Sequence, residues 1–135
     1  MADQNYYRTF IEVAEDCPVR VAAAPTYTGA KTMPVLQYEM IAGHPYRYTQ
    51  EDVLFEAHAE HKGIPQAQRG AARTGFFSKG QPCLRASALG KRYGWGIHCD
   101  DQGRVALYPV ESKEYTRLAS DTGITHLRAM RSRRA

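Results

Sequence analysis

Cys83 follows Pro82 and lies between Lys79 and Arg85, the setting of a reactive thiol. Positive charge beside a thiol favours the thiolate, which is the nucleophilic form, and an imidazole can supply the base that such chemistry needs. His98 is the candidate base if its strand lies beside the segment carrying Cys83; otherwise it is a half-buried strand residue bonded to backbone groups. The stretches Phe76 to Arg85 and Lys91 to Cys99 also bring together the cations Lys79, Arg85, Lys91 and Arg92 with the aromatic residues Tyr93 and Trp95. Cations beside planar rings can receive a phosphate-bearing or other anionic ligand by ion pairing and stacking, and nucleic acid is one version of that ligand.

Other groupings of chemical residue types stop short of a site. His58 and His61 could share a helical face with Glu60 between them. Zinc takes three or four ligands, however, and the His-Glu-x-x-His order is absent, so surface histidines are the expectation and no metal or cofactor is assigned. Ser78-Lys79-Gly80 lacks the long glycine-framed turn of a P-loop, and Gly94-Trp95-Gly96 lacks the third glycine of a dinucleotide fingerprint. Glycines flanking Trp95 suit a bend or bulge, or leave room for the indole or a close ligand.

Cys17, Cys83 and Cys99 are odd in number and have no Cys-x-x-Cys spacing, so three reduced thiols are expected. The start, Met1-Ala2-Asp3-Gln4-Asn5, lacks the basic and apolar regions of an export signal, and a cytoplasmic protein is the expectation. Hydrophobic content of 43% and charged content of 24% are those of a globular chain, and no apolar run suggests a membrane partner. Charge is divided along the length. Through Lys62 there are nine acids and five bases, net −4, whereas from Gly63 onward five acids face thirteen bases, net +8. A basic half favours anionic partners.

The elements that must position these residues follow from periodicity and turn chemistry. Tyr6 to Val13 alternates aromatic and β-branched residues and reads as a strand ended by Asp16-Cys17-Pro18; residues 22–31 read as a loop. Val35, Leu36, Met40 and Ile41 have helical spacing that His44-Pro45 should stop. Thr49-Gln50-Glu51-Asp52 supplies an N-cap and an acidic first turn to a helix ending at Gly63, although residues 55–60 also alternate as a strand would. Pro65 opens a polar helix over residues 66–77, and Cys83 to Ser87 reads as a short strand. Residues 94–99 and 104–108 flank Asp100-Asp101-Gln102-Gly103, a glycine-ended turn, and predict a hairpin. A helix over 111–120, with Tyr115 and Leu118 inward, and a last strand over 124–130 complete the chain; residues 130–135 read as a flexible basic tail.

A chain of 135 residues is one domain in size. Strands at both ends and a central hairpin near residues 94–108, with helices between, predict an α+β fold: an antiparallel sheet of about four to five strands with helices packed on it. The chain resembles a family of small uncharacterised bacterial and fungal proteins classed as a domain of unknown function. The resemblance rests on Tyr6 to Pro18, Asp52 to Glu56, Phe76 to Arg85, Lys91 to Cys99 and Ala129 to Ser132. It implies a single-domain organisation and brings no activity, cofactor or catalytic residue. The residues themselves lead to a binding module whose Lys79, Arg85, Lys91, Arg92, Tyr93 and Trp95 receive an anionic small molecule or nucleic acid. A small enzyme using Cys83 with His98 is the alternative. A structural or partner-binding domain, a homodimer being one form of it, in which Tyr46-Arg47-Tyr48 contributes to an interface, is the third reading.

Overall fold

The computed structural model describes residues 3–132. Four strands form one sheet: β1 (Thr9–Glu12), β2 (Trp95–Cys99), β3 (Val105–Pro109) and β4 (Thr125–Arg128), in the order β3-β2-β1-β4. β2 pairs antiparallel with β3 and with β1, as the hairpin sequence requires. β4 runs parallel to β1, so the sheet is mixed rather than purely antiparallel. The hairpin turn is built by Asp100, whose carboxylate accepts the Gln102 and Arg104 N–H groups at 2.9 Å each, and by Gly103 at φ 78°. A side chain that caps its own turn while glycine takes the left-handed position fixes the register of both strands.

Strand alternation separates two faces. Ile11, Ile97, Cys99 and Val105 share one face and join a core with Ile41, Val53, Leu54, Leu84, Leu89 and Ala129. That face is covered by α1 (Met33–Gly43), α2 (Gln50–Lys62) and the short α4 (Ala88–Lys91), with α3 (Arg69–Phe77) outside α2. Phe10, Gly96, His98 and Tyr108 lie on the other face, where α5 (Lys113–Ala119) sets the Tyr115 ring edge-on to Phe10 at 5.0 Å.

α2 begins in a capping box: Thr49 Oγ1 accepts the Asp52 N–H at 3.2 Å and the Asp52 carboxylate accepts the Thr49 N–H at 3.1 Å. Gly63 ends it at φ 70°. The strand-like alternation of residues 55–60 has another cause. Phe55, Ala57 and Ala59 are buried because α2 packs against α1 on one side and α3 on another, so its apolar face is broad. Arg69 on α3 reaches Glu56 at 2.8 Å and Arg73 reaches Asp52 at 3.0 Å, which ties α3 to α2 along its length.

The chain from 83 to 87 is not a strand. It is extended at Cys83 and Ser87, with a 3-10 turn at Leu84–Ala86 between them. The tail is anchored where it enters: the Met130 N–H donates to Arg85 O at 2.8 Å and the Ser132 N–H to the Asp16 carboxylate at 2.9 Å. The remainder of the expected tail, 133–135, lies outside the described residues. Among the described residues, no helix is long and apolar enough to cross a membrane.

Candidate functional site

Side chains four apart on a helix share a face. Met33 and Gln37 on α1 and Leu54 and His58 on α2 are two such pairs, and together with Phe76 of α3 they line a cleft of about 250 Å³. Gln81, Pro82, Cys83, Ala86 and Ser87 line the remainder. Six of its ten lining residues thus come from 76–87.

That segment is held from three directions. Gln50, fully buried at the start of α2, accepts the Leu84 N–H at 2.9 Å and donates through its amide to Gln4 O. Ser87 donates to Gln37 Oε1 at 2.7 Å and accepts the Leu89 N–H at 3.2 Å, which caps α4. Arg85 donates through Nε to Arg128 O at 2.8 Å, next to the Met130 bond. Gln81 donates to Phe76 O at 2.7 Å and closes the chain between α3 and Pro82.

Within the cleft, His58 lies 4.6 Å from the Phe76 ring, centroid to centroid. Burial, then the neighbouring Lys62 and His61, hold its pKa below the usual histidine value, which favours neutral imidazole near neutral pH. Neither of its ring nitrogens has a hydrogen-bond partner among the described residues. Burial first, and the nearby Cys83 second, push the Tyr6 phenol up to about 12. All three cysteines are free thiols, but only Cys83 lines this cleft. Cys99 is fully buried, and burial pushes its thiol up to about 12.

His98 is not beside Cys83. It shares its sheet face with Phe10 and Gly96, whereas the neighbouring Ile97 and Cys99 point into the core that holds Leu84, so the sheet separates the imidazole from the thiol. His98 Nδ1 is bonded to the Tyr46 hydroxyl at 2.8 Å, and Tyr46 in turn to the Tyr108 hydroxyl at 2.6 Å. Tyr46 holds a left-handed backbone, φ 60°, to make these contacts.

The expected cation and aromatic set is divided. Lys79 is exposed past the end of α3, Arg85 is engaged with Arg128, Lys91 closes α4, and Arg92 lines a separate depression with Asp16, Pro18 and Ser132. Tyr93 accepts the Ala23 N–H through its carbonyl. Trp95 donates through Nε1 to Ala23 O at 2.9 Å and packs on Tyr38 at 5.4 Å. The room beside Gly96 is taken by the Phe10 and Tyr115 rings, not by the indole. His58 and His61 part company as well, since His61 is exposed; no group of three metal-ligating side chains occurs among the described residues. What sequence reasoning missed is His58 as a lining residue. The four-residue spacing from Leu54 was the available signal.

Burial holds the pKa of His98 below the usual 6.5, against the opposing pull of Asp100, Asp121 and Asp101, as it does for His58. As pH falls through about 6.5 the unfolded chain takes up these protons before the folded one does, so this contribution to stability is intact above that pH and is lost below it. The melting temperature is expected to fall between pH 7.5 and 5.0, and to fall less in a His58→Asn, His98→Asn double variant. An identical slope in the two proteins would remove the histidines from the account.

Together these features define a small α+β domain with a mixed four-stranded sheet and a thiol-bearing cleft on its helical face. The chain belongs to the family of unknown function DUF6157, whose model matches residues 1–135. No curated protein and no solved structure matches the chain.

Proposed function

We propose that this chain is a small-molecule-binding domain whose cleft among α1, α2, α3 and the 81–87 segment takes a compact, largely apolar ligand with a hydrogen-bonding end. The observation that supports this most is the composition of the cleft. Apolar walls from Met33, Leu54, Phe76, Pro82 and Ala86 surround five polar residues: His58, Gln81, Cys83 and the linked Gln37 and Ser87. Apolar surface supplies affinity and a small number of placed polar groups supplies orientation, the usual division of labour in ligand sites. An anionic or nucleic-acid partner draws support from the net +8 of the chain beyond residue 62. It draws less from the cations singled out in the sequence, because their contacts lie on separate parts of the surface.

Indole is a suitable probe, being flat, apolar and a single donor. Calorimetric titration is expected to show saturable binding that weakens at least tenfold in Ala86→Phe, which fills the cleft, and in Met33→Trp, which narrows it from the α1 side. Equal affinity in the wild type and in both folded variants would place the probe elsewhere and end this reading.

A further inference from the structure

We propose that the cleft is reactive as well as receptive, with Cys83 as nucleophile and His58 as proton acceptor in acyl transfer from small apolar esters. The inference rests on the cleft reading above and adds a chemical step to it. A nucleophile and a base must reach the same small volume, and Cys83 and His58 line one cleft although 25 positions separate them in the chain. The base must also be free to act. His58 has no hydrogen-bond partner among the described residues, and its largely neutral imidazole retains a lone pair for the thiol proton. Lys62 and His61 from its own helix, and Cys83 across the cleft, are the titratable groups that bear on it. The Tyr6 phenol, raised by burial first and by the nearby Cys83 second, stays protonated through the physiological range and can donate to the thiolate. The other thiols lack this setting: Cys99 is sealed in the core, and Cys17 donates weakly to Val19 O at 3.9 Å.

The reaction runs in two stages. The Cys83 proton passes to His58, and the sulfur forms a bond to the acyl carbon. The acyl carbon–oxygen bond breaks, and His58 returns the proton to the departing alkoxide, leaving a thioester on Cys83 and a free alcohol. Water then attacks the thioester with His58 as base, the proton returns to sulfur, and a carboxylic acid leaves. The apolar walls of Leu54, Phe76 and Met33 suit a short hydrocarbon acyl group.

The probe is p-nitrophenyl butyrate. Expected is release of one equivalent of p-nitrophenol per chain in a first phase, with one butyryl group found on Cys83 by peptide mass mapping and with competition by indole. Cys17→Ser should retain the adduct and Cys83→Ser should lose it. His58→Gln should slow acylation at least tenfold at pH 7 while melting like the wild type, and should flatten the rise of the acylation rate with pH near and below 6.5. If indole binds in the cleft but Cys83 is not acylated, or if folded His58→Gln is acylated at the wild-type rate, the nucleophile and base assignment is overturned and the binding reading stands. If neither indole binding nor acylation occurs, both fall.

Discussion

Gly96→Ala is expected to cost the fold about 3 kcal/mol, the upper end of what a single inserted methyl does in a well-packed core. A Cβ at this position would sit 2.6 Å from Tyr115 Cε2 and 2.7 Å from Phe10 Cζ, closer than carbon atoms approach. Neither ring can easily move aside. Phe10 is fully buried in β1, and Tyr115 is held through its hydroxyl, which accepts the Val13 N–H at 3.0 Å. The strain therefore falls on the seam between α5 and the sheet. Gly75→Ala in α3 is the matched control: nothing lies within 4 Å of its Cβ position, and an interior helical glycine replaced by alanine should stabilise by about 0.5–1 kcal/mol. Chemical denaturation of both variants checks the pair. Equal effects of the same sign would show that the seam is not packed as described.

Gln50→Leu is expected to cost about 1–3 kcal/mol, because it leaves the Leu84 N–H buried without an acceptor while keeping the side-chain volume. The loss should not be spread evenly. Leu84 directly follows Cys83, so amide hydrogen exchange should quicken first across 83–87 and leave the β2–β3 hairpin protected. Loss of protection across the whole sheet at once would make Gln50 a general core residue rather than the anchor of the cleft wall.

How far the sequence discloses these features depends on the range of the forces behind them. The β2–β3 hairpin and α2 are legible because their determinants are local: a side-chain-capped turn ending in Gly103, and a capping box from Thr49 to Asp52 with a glycine stop. The parallel pairing of β4 with β1 is not legible, since it joins Thr9 to Thr125 across nearly the whole chain. The 83–87 segment misleads for a definite reason. Both of its ends are extended, and the turn between them is fixed by a glutamine more than thirty positions earlier. Cys83 stands out in the sequence by its neighbours Lys79, Pro82 and Arg85, and in the structure it lines the cleft. The histidine that shares its cleft is not legible, because strand alternation turns His98 to the far face while α2 brings His58 to the cleft.

If the cleft bearing Cys83 and His58 is where this protein meets its ligand, a bound probe must perturb that cleft and spare the far face of the sheet. Two-dimensional amide NMR during titration with indole tests it most directly. The account predicts shift changes that saturate together and cluster at Gln37, Leu54, His58, Phe76 and residues 81–87, with the sheet face carrying His98 and Tyr108 unmoved. Changes centred instead on Trp95, Lys91 and Arg92, or spread without saturation over the whole surface, would contradict it.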